Sequence, residues 1–387
     1  MAIAAIFAAD LHISDFIWST YPAIRGDSFF AWRQLVDLAI KHRAPLVLAG
    51  DVLELMRTGS PTSSTVDVVD YGISCLKNDG IPLYYIHGQH DLASPSWLHA
   101  INKWAVDVNC RGFKIGGDPW YGIAYQEQSM LDLALREVPQ DTCGLVLHQQ
   151  WHELLGGSRA HGSLKSVFAM HPNLRAIVTG DLHRCILAKS GNERLVVSPG
   201  ATHMRTVAEP TEHFAIAWEN RRPRKLKLLS RPVVQVVVTS PSSWAAEKAK
   251  LESVLPEIAS KALVSGVVPE VATPLLIIQE DTNVGAYEEA LSLFSHTAHV
   301  MRRVKGTTAD PLSDKADEEV LNHQIAFASR LARVRNSVEA WSRARFGQSS
   351  PTVGVMCGIF DKTEPSELRK RFFKEIADGD TEACPSS

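Results

Sequence analysis

Five short polar clusters, each following an apolar run, hold the residues able to do chemistry: Asp10-Leu11-His12, Gly50-Asp51, Gly88-Gln89-His90-Asp91, His148 and Gly180-Asp181-Leu182-His183. Carboxylates, imidazoles and one amide make a donor set for divalent cations. Two such ions about 3.5–4 Å apart can generate a nucleophile from water and neutralise phosphoryl oxygens, so the set points to phosphoester hydrolysis. Asp51, presented by a Gly-Asp turn, is the natural bridge between two ions. Asp10 and His12 lie two apart on an extended loop, so both face one side and clasp the first ion, with His183 joining them. Gln89 through its amide oxygen and Asp181 go to the second ion, and His148 adds a nitrogen ligand. His90 is suited to serve the leaving oxygen as general acid or transition-state stabiliser, with Asp91 orienting its ring. Mixed oxygen and imidazole ligands favour Mn²⁺, with Mg²⁺, Fe²⁺ or Zn²⁺ as alternatives. A lone Asp-x-His or Gly-Asp is ordinary turn chemistry. Five in this order, each ending a strand, are a site.

The elements that must position these clusters are the apolar runs before them: Ile3 to Ala9, Leu46 to Ala49, Pro82 to Ile86, Leu145 to Leu147 and Ala176 to Val178. They are short and apolar enough to be buried strands, so every cluster sits at a strand's carboxyl end, where loops converge on a ligand. Helical patterns at Phe29 to His42, Val66 to Asn78 and Ser129 to Arg136 alternate with them, and strand-like runs follow at Leu195 to Ser198, Phe214 to Glu219 and Leu226 to Leu229. The mixture predicts an α/β fold of two packed sheets flanked by helices over residues 1–231. After Arg231-Pro232 the texture changes, and strands near Val233 to Val238, Leu275 to Ile278 and His299 to Val304, with helices near Trp244 to Leu255 and Ala286 to His296, predict a small α+β domain over 232–305. A polar linker over 306–317 follows. Within 318–380, Val320, Phe327, Leu331, Val334, Val338 and Trp341 form one apolar stripe on a long helix, and a tail closes the chain.

The 387 residues are 45% hydrophobic, enough for a sizeable core, and the net charge of -3 is no global signature of nucleic-acid binding. Six scattered cysteines without a CxxC pair fit reduced thiols. The N-terminus lacks a basic leader segment and reads as the first strand. No run reaches the roughly 18 to 20 apolar residues of a membrane span, so a soluble cytoplasmic protein is expected. Arg221, Arg222, Arg224, Lys225 and Lys227 form a local basic cluster, which either touches phosphates or is a solvated hairpin tip. His87 reads as a packed histidine and His161 as part of a surface loop.

The motifs resemble the calcineurin-like metallophosphoesterase superfamily, whose pattern runs Asp-x-His, Gly-Asp, Gly-Asn-His-Asp, His, Gly-His-x-His. Gln89 stands where that family has Asn, and Asp181 where it has the first His of the last pair. A narrower resemblance lies in His148-Gln149, Ser198-Pro199-Gly200-Ala201-Thr202, Arg205, Glu209 and Arg231-Pro232, which are similar to the succession in SbcD-type DNA repair nucleases, phage or otherwise divergent members included. The resemblance implies an αββα sandwich with a capping domain and C-terminal partner-binding helices, and an Mn²⁺-dependent exonuclease and endonuclease. It also implies a substrate-facing loop carrying His203 and Arg205. A stripe with Phe327, Leu331, Val334 and Trp341 would dock on an SbcC-like SMC-type ATPase, in a heterotetramer built on a homodimer. A phosphatase or cyclic-nucleotide phosphodiesterase on the same core is the alternative enzyme. A scaffold with weak catalysis, motivated by Gln89 and Asp181, is the alternative of another class.

Overall fold

Runs such as Ile3-Ala4-Ala5-Ile6-Phe7-Ala8 and Leu46-Val47-Leu48-Ala49 have no polar face, so they are stable only where both sides of a strand are covered. The computed structural model covers them on both sides. It describes residues 2–15, 18, 24–56, 58–91, 96–155, 160, 162–190, 194–280 and 284–303. The chain divides into two units, Met1–Ala309 and Asp310–Ser387, and every described residue lies in the first. His161, the linker 306–317, and the stripe with Phe327, Leu331, Val334 and Trp341 lie outside the described residues.

In chain order the elements are β1 (Ile3–Ala8), α1 (Asp27–His42), β2 (Leu46–Ala49), α2 (Ser63–Asn78), β3 (Leu83–Ile86), α3 (Trp97–Ile101), β4 (Ala105–Asp107), β5 (Arg111–Ile115), β6 (Asp118–Ile123), α4 (Gln128–Arg136), β7 (Gly144–His148), α5 (His152–Leu155) and α6 (Leu164–Met170). There follow β8 (Ala176–Gly180), β9 (Ile186–Ser190), β10 (Arg194–Ser198), β11 (His213–Glu219), β12 (Arg222–Leu228), β13 (Val233–Val238), α7 (Pro241–Val264), α8 (Pro269–Ala272), β14 (Leu275–Glu280), α9 (Ala286–Phe294) and β15 (His299–Arg303). One sheet has the order β12-β11-β1-β2-β3-β4, the other β5-β6-β7-β8-β10-β9. In the first, β1 to β4 run parallel and β11 and β12 add an antiparallel edge. In the second, β6, β7, β8 and β10 are parallel, with β5 and β9 antiparallel at the edges.

Alternation along β1 shows how the layers form, because successive side chains point to opposite faces. Ala5 and Phe7 meet Trp120, Val146, Val178 and Trp218 between the sheets. Ile6 and Ala8 instead face Trp32, Leu35 and Ile73 of the helices over the first sheet. Leu145 and Ile177 face Leu131, Leu135, Val167 and Phe168 over the second. Helix, sheet, sheet and helix are therefore stacked, and the parallel strands of both sheets deliver their carboxyl ends to one edge.

The third sheet, β13-β14-β15, is parallel throughout. Leu276 and Ile278 turn toward Trp244, Leu251, Ala290 and Phe294 of α7 and α9. Leu275, Ile277 and Met301 turn the other way, onto Trp18, Ile24 and Met204, so this sheet leans on the loop that carries Arg205.

Arg231 ties the same two regions together. Its guanidinium donates to both Asp27 oxygens at 2.8 and 2.9 Å and to the carbonyls of Thr273, Arg25 and Glu270 at 2.8–3.0 Å. The pair is buried, and desolvation keeps the Asp27 carboxyl above its ordinary value despite the arginine. Removing one partner of such a pair strands the other charge. Arg231→Met is therefore expected to lower unfolding stability by about 3–5 kcal/mol, with part of the loss recovered in Arg231→Met/Asp27→Asn. Denaturant unfolding checks this, and a loss below about 1 kcal/mol would show that Asp27 does not depend on the arginine.

Candidate metal centre

The site is built where five strands end. Asp10 and His12 follow β1, Asp51 follows β2, Gln89 and His90 follow β3, His148 ends β7, and Asp181 and His183 follow β8. The loops are knitted together by backbone bonds: Asp10 N–H donates to the Gly50 carbonyl at 3.1 Å, and His12 N–H to that of Asp51 at 2.8 Å. Asp10, His12, Asp51 and Asp181 all hold positive φ, from 43° to 74°. Four non-glycine residues in that region at one site are strain that the surrounding fold sustains. The glycines are set by approach: a Cβ on Gly50 would lie 2.2 Å from His148 Nδ1, and one on Gly88 2.1 Å from an Asp51 oxygen.

Each imidazole is held by one nitrogen and presents the other. His148 Nδ1 donates to the Ala49 carbonyl at 2.7 Å, which turns Nε2 toward Asp51 Oδ2 at 3.4 Å and Asp10 Oδ1 at 3.9 Å. His183 Nδ1 lies 2.7 Å from Glu209 Oε1. Glu54 holds two rings at once, with Oε2 3.2 Å from His12 Nδ1 and Oε1 3.0 Å from His90 Nδ1. The His12 Nε2, His90 Nε2 and His148 Nε2 atoms stand 3.6, 4.0 and 3.4 Å from Asp51 Oδ2. Such outer partners fix tautomer and ring orientation around a cation.

Three overlapping groups, Asp10–His12–His183, His12–Asp51–His90 and Asp10–Asp51–His148, bring their ligand atoms within 4.8 Å of one another. Asp10 Oδ2, His148 Nε2, Asp181 Oδ2 and Gln89 Oε1 are buried without a hydrogen-bond partner. Three are oxygen acceptors and the fourth is an imidazole nitrogen facing carboxylates, and a cation is what satisfies such a cluster. The residues fit divalent ions on that ground. Arg205 Nη1 donates to His12 Nε2 at 2.7 Å while Nη2 holds Glu54 Oε2 at 2.7 Å, so an ion on His12 takes over a lone pair that the guanidinium engages.

Protonation follows the same charges. Burial pushes the Asp10 carboxyl up to about 6. Burial would lower His148, but Asp51, Asp10 and Asp181 raise it well above the usual imidazole range. Asp51 is held well below the carboxylate range, since His148, His90 and His12 outweigh its burial. His12 is lowered to about 3 by burial and by Arg205, so it stays neutral and ready to ligate. Cation binding must therefore displace a proton from His148 and, below about pH 6, one from Asp10 as well. Affinity for Mn²⁺ is expected to fall about tenfold per pH unit for each displaced proton as pH drops from 7.5 to 5.5. Calorimetric titration in two buffers of different ionisation enthalpy reports the released protons, and an affinity flat across that range would contradict this.

Two expectations are corrected. Asp91 does not hold the His90 ring: its oxygens accept from the backbone N–H of Leu53 at 2.7 Å and of Gly88 at 2.8 Å, and the ring rests on Glu54. His203 is only 2% exposed, with Nδ1 3.3 Å from Thr202 Oγ1, so it packs behind the site and faces no substrate. Between the two readings of the basic cluster, the structure places it on the β11–β12 hairpin, where Arg221 pairs with Asp118, Arg224 with Glu219 and Lys227 with Glu212, while Lys225 lies over the Phe214 ring. His87, expected to be packed, is buried 3.3 Å from Asp107.

Glu54 went unread in the sequence. The available signal was an acid between Val52, Leu53 and Leu55, each 1% exposed, since a buried glutamate is almost always paired. Glu54→Ala is expected to reduce turnover and cation affinity by about 10–100-fold each, as loss of an outer partner does, with Glu54→Gln intermediate. Steady-state kinetics with metal titration would reveal it, and unchanged values for Glu54→Ala would remove the residue from the site.

No curated protein matches the chain at a significant level. Among solved structures it is similar to the Thermus thermophilus protein TT1561, at 12% identity and TM-score 0.39 over 58% of this chain and 98% of that one. It is also similar to a dimetal phosphatase from Danio rerio, at 10% identity and TM-score 0.39 over 58% and 96%, and to an archaeal phosphodiesterase, at 14% identity and TM-score 0.33 over 58% and 99%. The segment that carries all five clusters, residues 5–185, matches the calcineurin-like phosphoesterase family.

Proposed function

We propose that this chain is a divalent-cation-dependent phosphodiesterase whose substrate is DNA. The observation that carries the reading is one juxtaposition: three buried, unpartnered oxygens and the His148 Nε2 atom lie beside His90, whose side chain is 22% exposed and pinned through Nδ1 to Glu54. Two bound cations would supply Lewis acidity toward the phosphoryl oxygens and acidify a water molecule. The chain's own residues supply the rest. Asp51 and Glu54 outweigh burial and raise the His90 pKa, so Nε2 holds a proton that it can deliver to the leaving oxygen. Arg205, at the rim of the cluster, is placed to meet a phosphoryl oxygen once its Nη1 leaves His12.

DNA as substrate is supported by the Ser198-Pro199-Gly200 to Arg231-Pro232 succession and by the third sheet beside the Arg205 loop. We extend the reading to a capping role for residues 232–305 and to an SbcC-like ATPase partner bound through Phe327, Leu331, Val334 and Trp341. We likewise propose a cytoplasmic, homodimer-based heterotetramer. Among the described residues no helix is long and apolar enough to cross a membrane.

One observation favours the second reading, a phosphatase or cyclic-nucleotide phosphodiesterase: the neutralised basic hairpin removes a ready phosphate track. The deciding experiment incubates the protein with end-labelled duplex, hairpin and single-stranded DNA in Mn²⁺ and in Mg²⁺. A product ladder is the expected result. Intact DNA alongside fast hydrolysis of small phosphate esters would establish the second reading instead.

A further inference from the structure

Gln89 follows a strand of the first sheet and Asp181 a strand of the second. They meet across the seam, where Gln89 Nε2 donates to Asp181 Oδ1 at 2.8 Å. That bond fixes which way the amide faces. With its NH₂ on Asp181, Gln89 must present Oε1 to the cluster, and that oxygen is buried without a partner, as is Asp181 Oδ2. A second bond fixes Asp181 itself, whose backbone N–H donates to Asp10 Oδ1 at 3.0 Å from a strained φ of 74°. Asp10 Oδ2 and His148 Nε2 are likewise buried without a hydrogen-bond partner. These four atoms are three oxygens and one imidazole nitrogen, and of their residues Asp10 and His148 converge with Asp51 within 4.8 Å. The neighbouring Asp10–His12–His183 group offers one carboxylate and two imidazoles.

The two corners differ in softness. Imidazole suits Zn²⁺ and later transition metals, whereas carboxylate and carbonyl oxygens suit Mg²⁺ and Mn²⁺. We propose that the hydrogen-bonded Gln89–Asp181 pair is a single specificity unit that makes the second cation position prefer hard, oxygen-seeking ions over Zn²⁺. This rests on the reading of the cluster as a two-cation centre. Neither residue does it alone: without Asp181 the amide is free to turn its NH₂ toward the ion, and without Gln89 one Asp181 oxygen loses its donor.

The test titrates the chelator-stripped full-length chain with Mn²⁺, Mg²⁺ and Zn²⁺ by calorimetry, with bound metal counted by elemental analysis. Two positions of unlike preference are expected in the unmodified protein. Asp181→His supplies an imidazole and is expected to shift the Zn²⁺ to Mn²⁺ affinity ratio of the second position about tenfold or more toward Zn²⁺, with the first position unchanged. Asp181→Asn keeps an acceptor for Gln89 and is expected to weaken every ion without moving the ratio. Gln89→Leu and Asp181→Leu are expected to be non-additive in Mn²⁺ affinity, as members of one unit are.

An Asp181→His ratio within about twofold of the parent, or additive leucine variants, would overturn the proposal. Thermal unfolding of each variant separates misfolding from lost binding, and Asp181→Asn carries the comparison if Asp181→His fails to fold. A chain that binds two ions with the expected preferences but hydrolyses no phosphodiester would sink the proposed function and leave this inference standing. A chain that binds no divalent ion would sink both.

Discussion

Replacing Asp51 by alanine is expected to abolish cation binding and hydrolysis together, with turnover falling at least about a thousandfold, or about 4 kcal/mol of barrier. Asp51 is where the site's interactions cross. One oxygen faces three imidazole nitrogens at 3.4–4.0 Å, and the other accepts the His90 backbone N–H at 2.8 Å. Its carboxylate is also the most strongly acidified of the three aspartates around the cluster, because positive charge surrounds it. Alanine removes the carboxylate shared by the His12–Asp51–His90 and Asp10–Asp51–His148 groups and the acceptor that seats the His90 loop. Metal counting and phosphodiesterase assays on the same preparation decide it. A variant that binds two cations yet is inactive would move Asp51 from ligand to loop support, and an active variant would remove it from the site.

The positions of the ligands were legible because strand ends are legible. Apolar runs too short for helices, each stopped by a Gly or a polar cluster, dictate buried parallel strands, and strands of that kind deliver their next residues to a shared edge. The runs at Ile3, Leu46, Pro82, Leu145 and Ala176 all became strands, and the third sheet formed on the expected valine, leucine and histidine runs. The orientation of individual rings was not legible. Asp91 sits one residue after His90, which suggests a contact, but the turn sends its carboxylate back to the Leu53 and Gly88 amides. Glu54, remote in sequence from both His12 and His90, reaches them only because β1, β2 and β3 are neighbours in one sheet. His203 misled for a related reason. A Pro-Gly turn normally lies at the surface, yet this one is covered, leaving Ala201, Thr202 and His203 each at 2% exposure or less. Pairing likewise hid the fate of the basic run, since Asp118 and Glu212 come from other segments.

His90→Ala should separate chemistry from metal binding, the reverse of Asp51→Ala. His90 reaches Asp51 Oδ2 only at 4.0 Å, is part exposed, and is held by Glu54 rather than buried among the ligands. The expected result is a fall in turnover of about 10²–10⁴-fold, the range of a lost general acid, with two cations still bound per chain. The size of the loss should follow the leaving group. On DNA the departing alkoxide is strongly basic and needs the proton, so the full loss is expected. On an ester with a p-nitrophenyl leaving group the departing oxygen is weakly basic, and the loss should shrink toward unity, because Brønsted behaviour ties the benefit of proton donation to leaving-group basicity. Equal losses on both substrates would show that His90 stabilises the phosphoryl oxygens and donates no proton. Loss of metal in parallel with activity would place it among the ligands, where the His12–Asp51–His90 group makes room for it. Glu54→Ala in the His90→Ala background then isolates what Glu54 does through its other two partners: any further fall in cation affinity must pass through the His12 ring or the Arg205 guanidinium beside it.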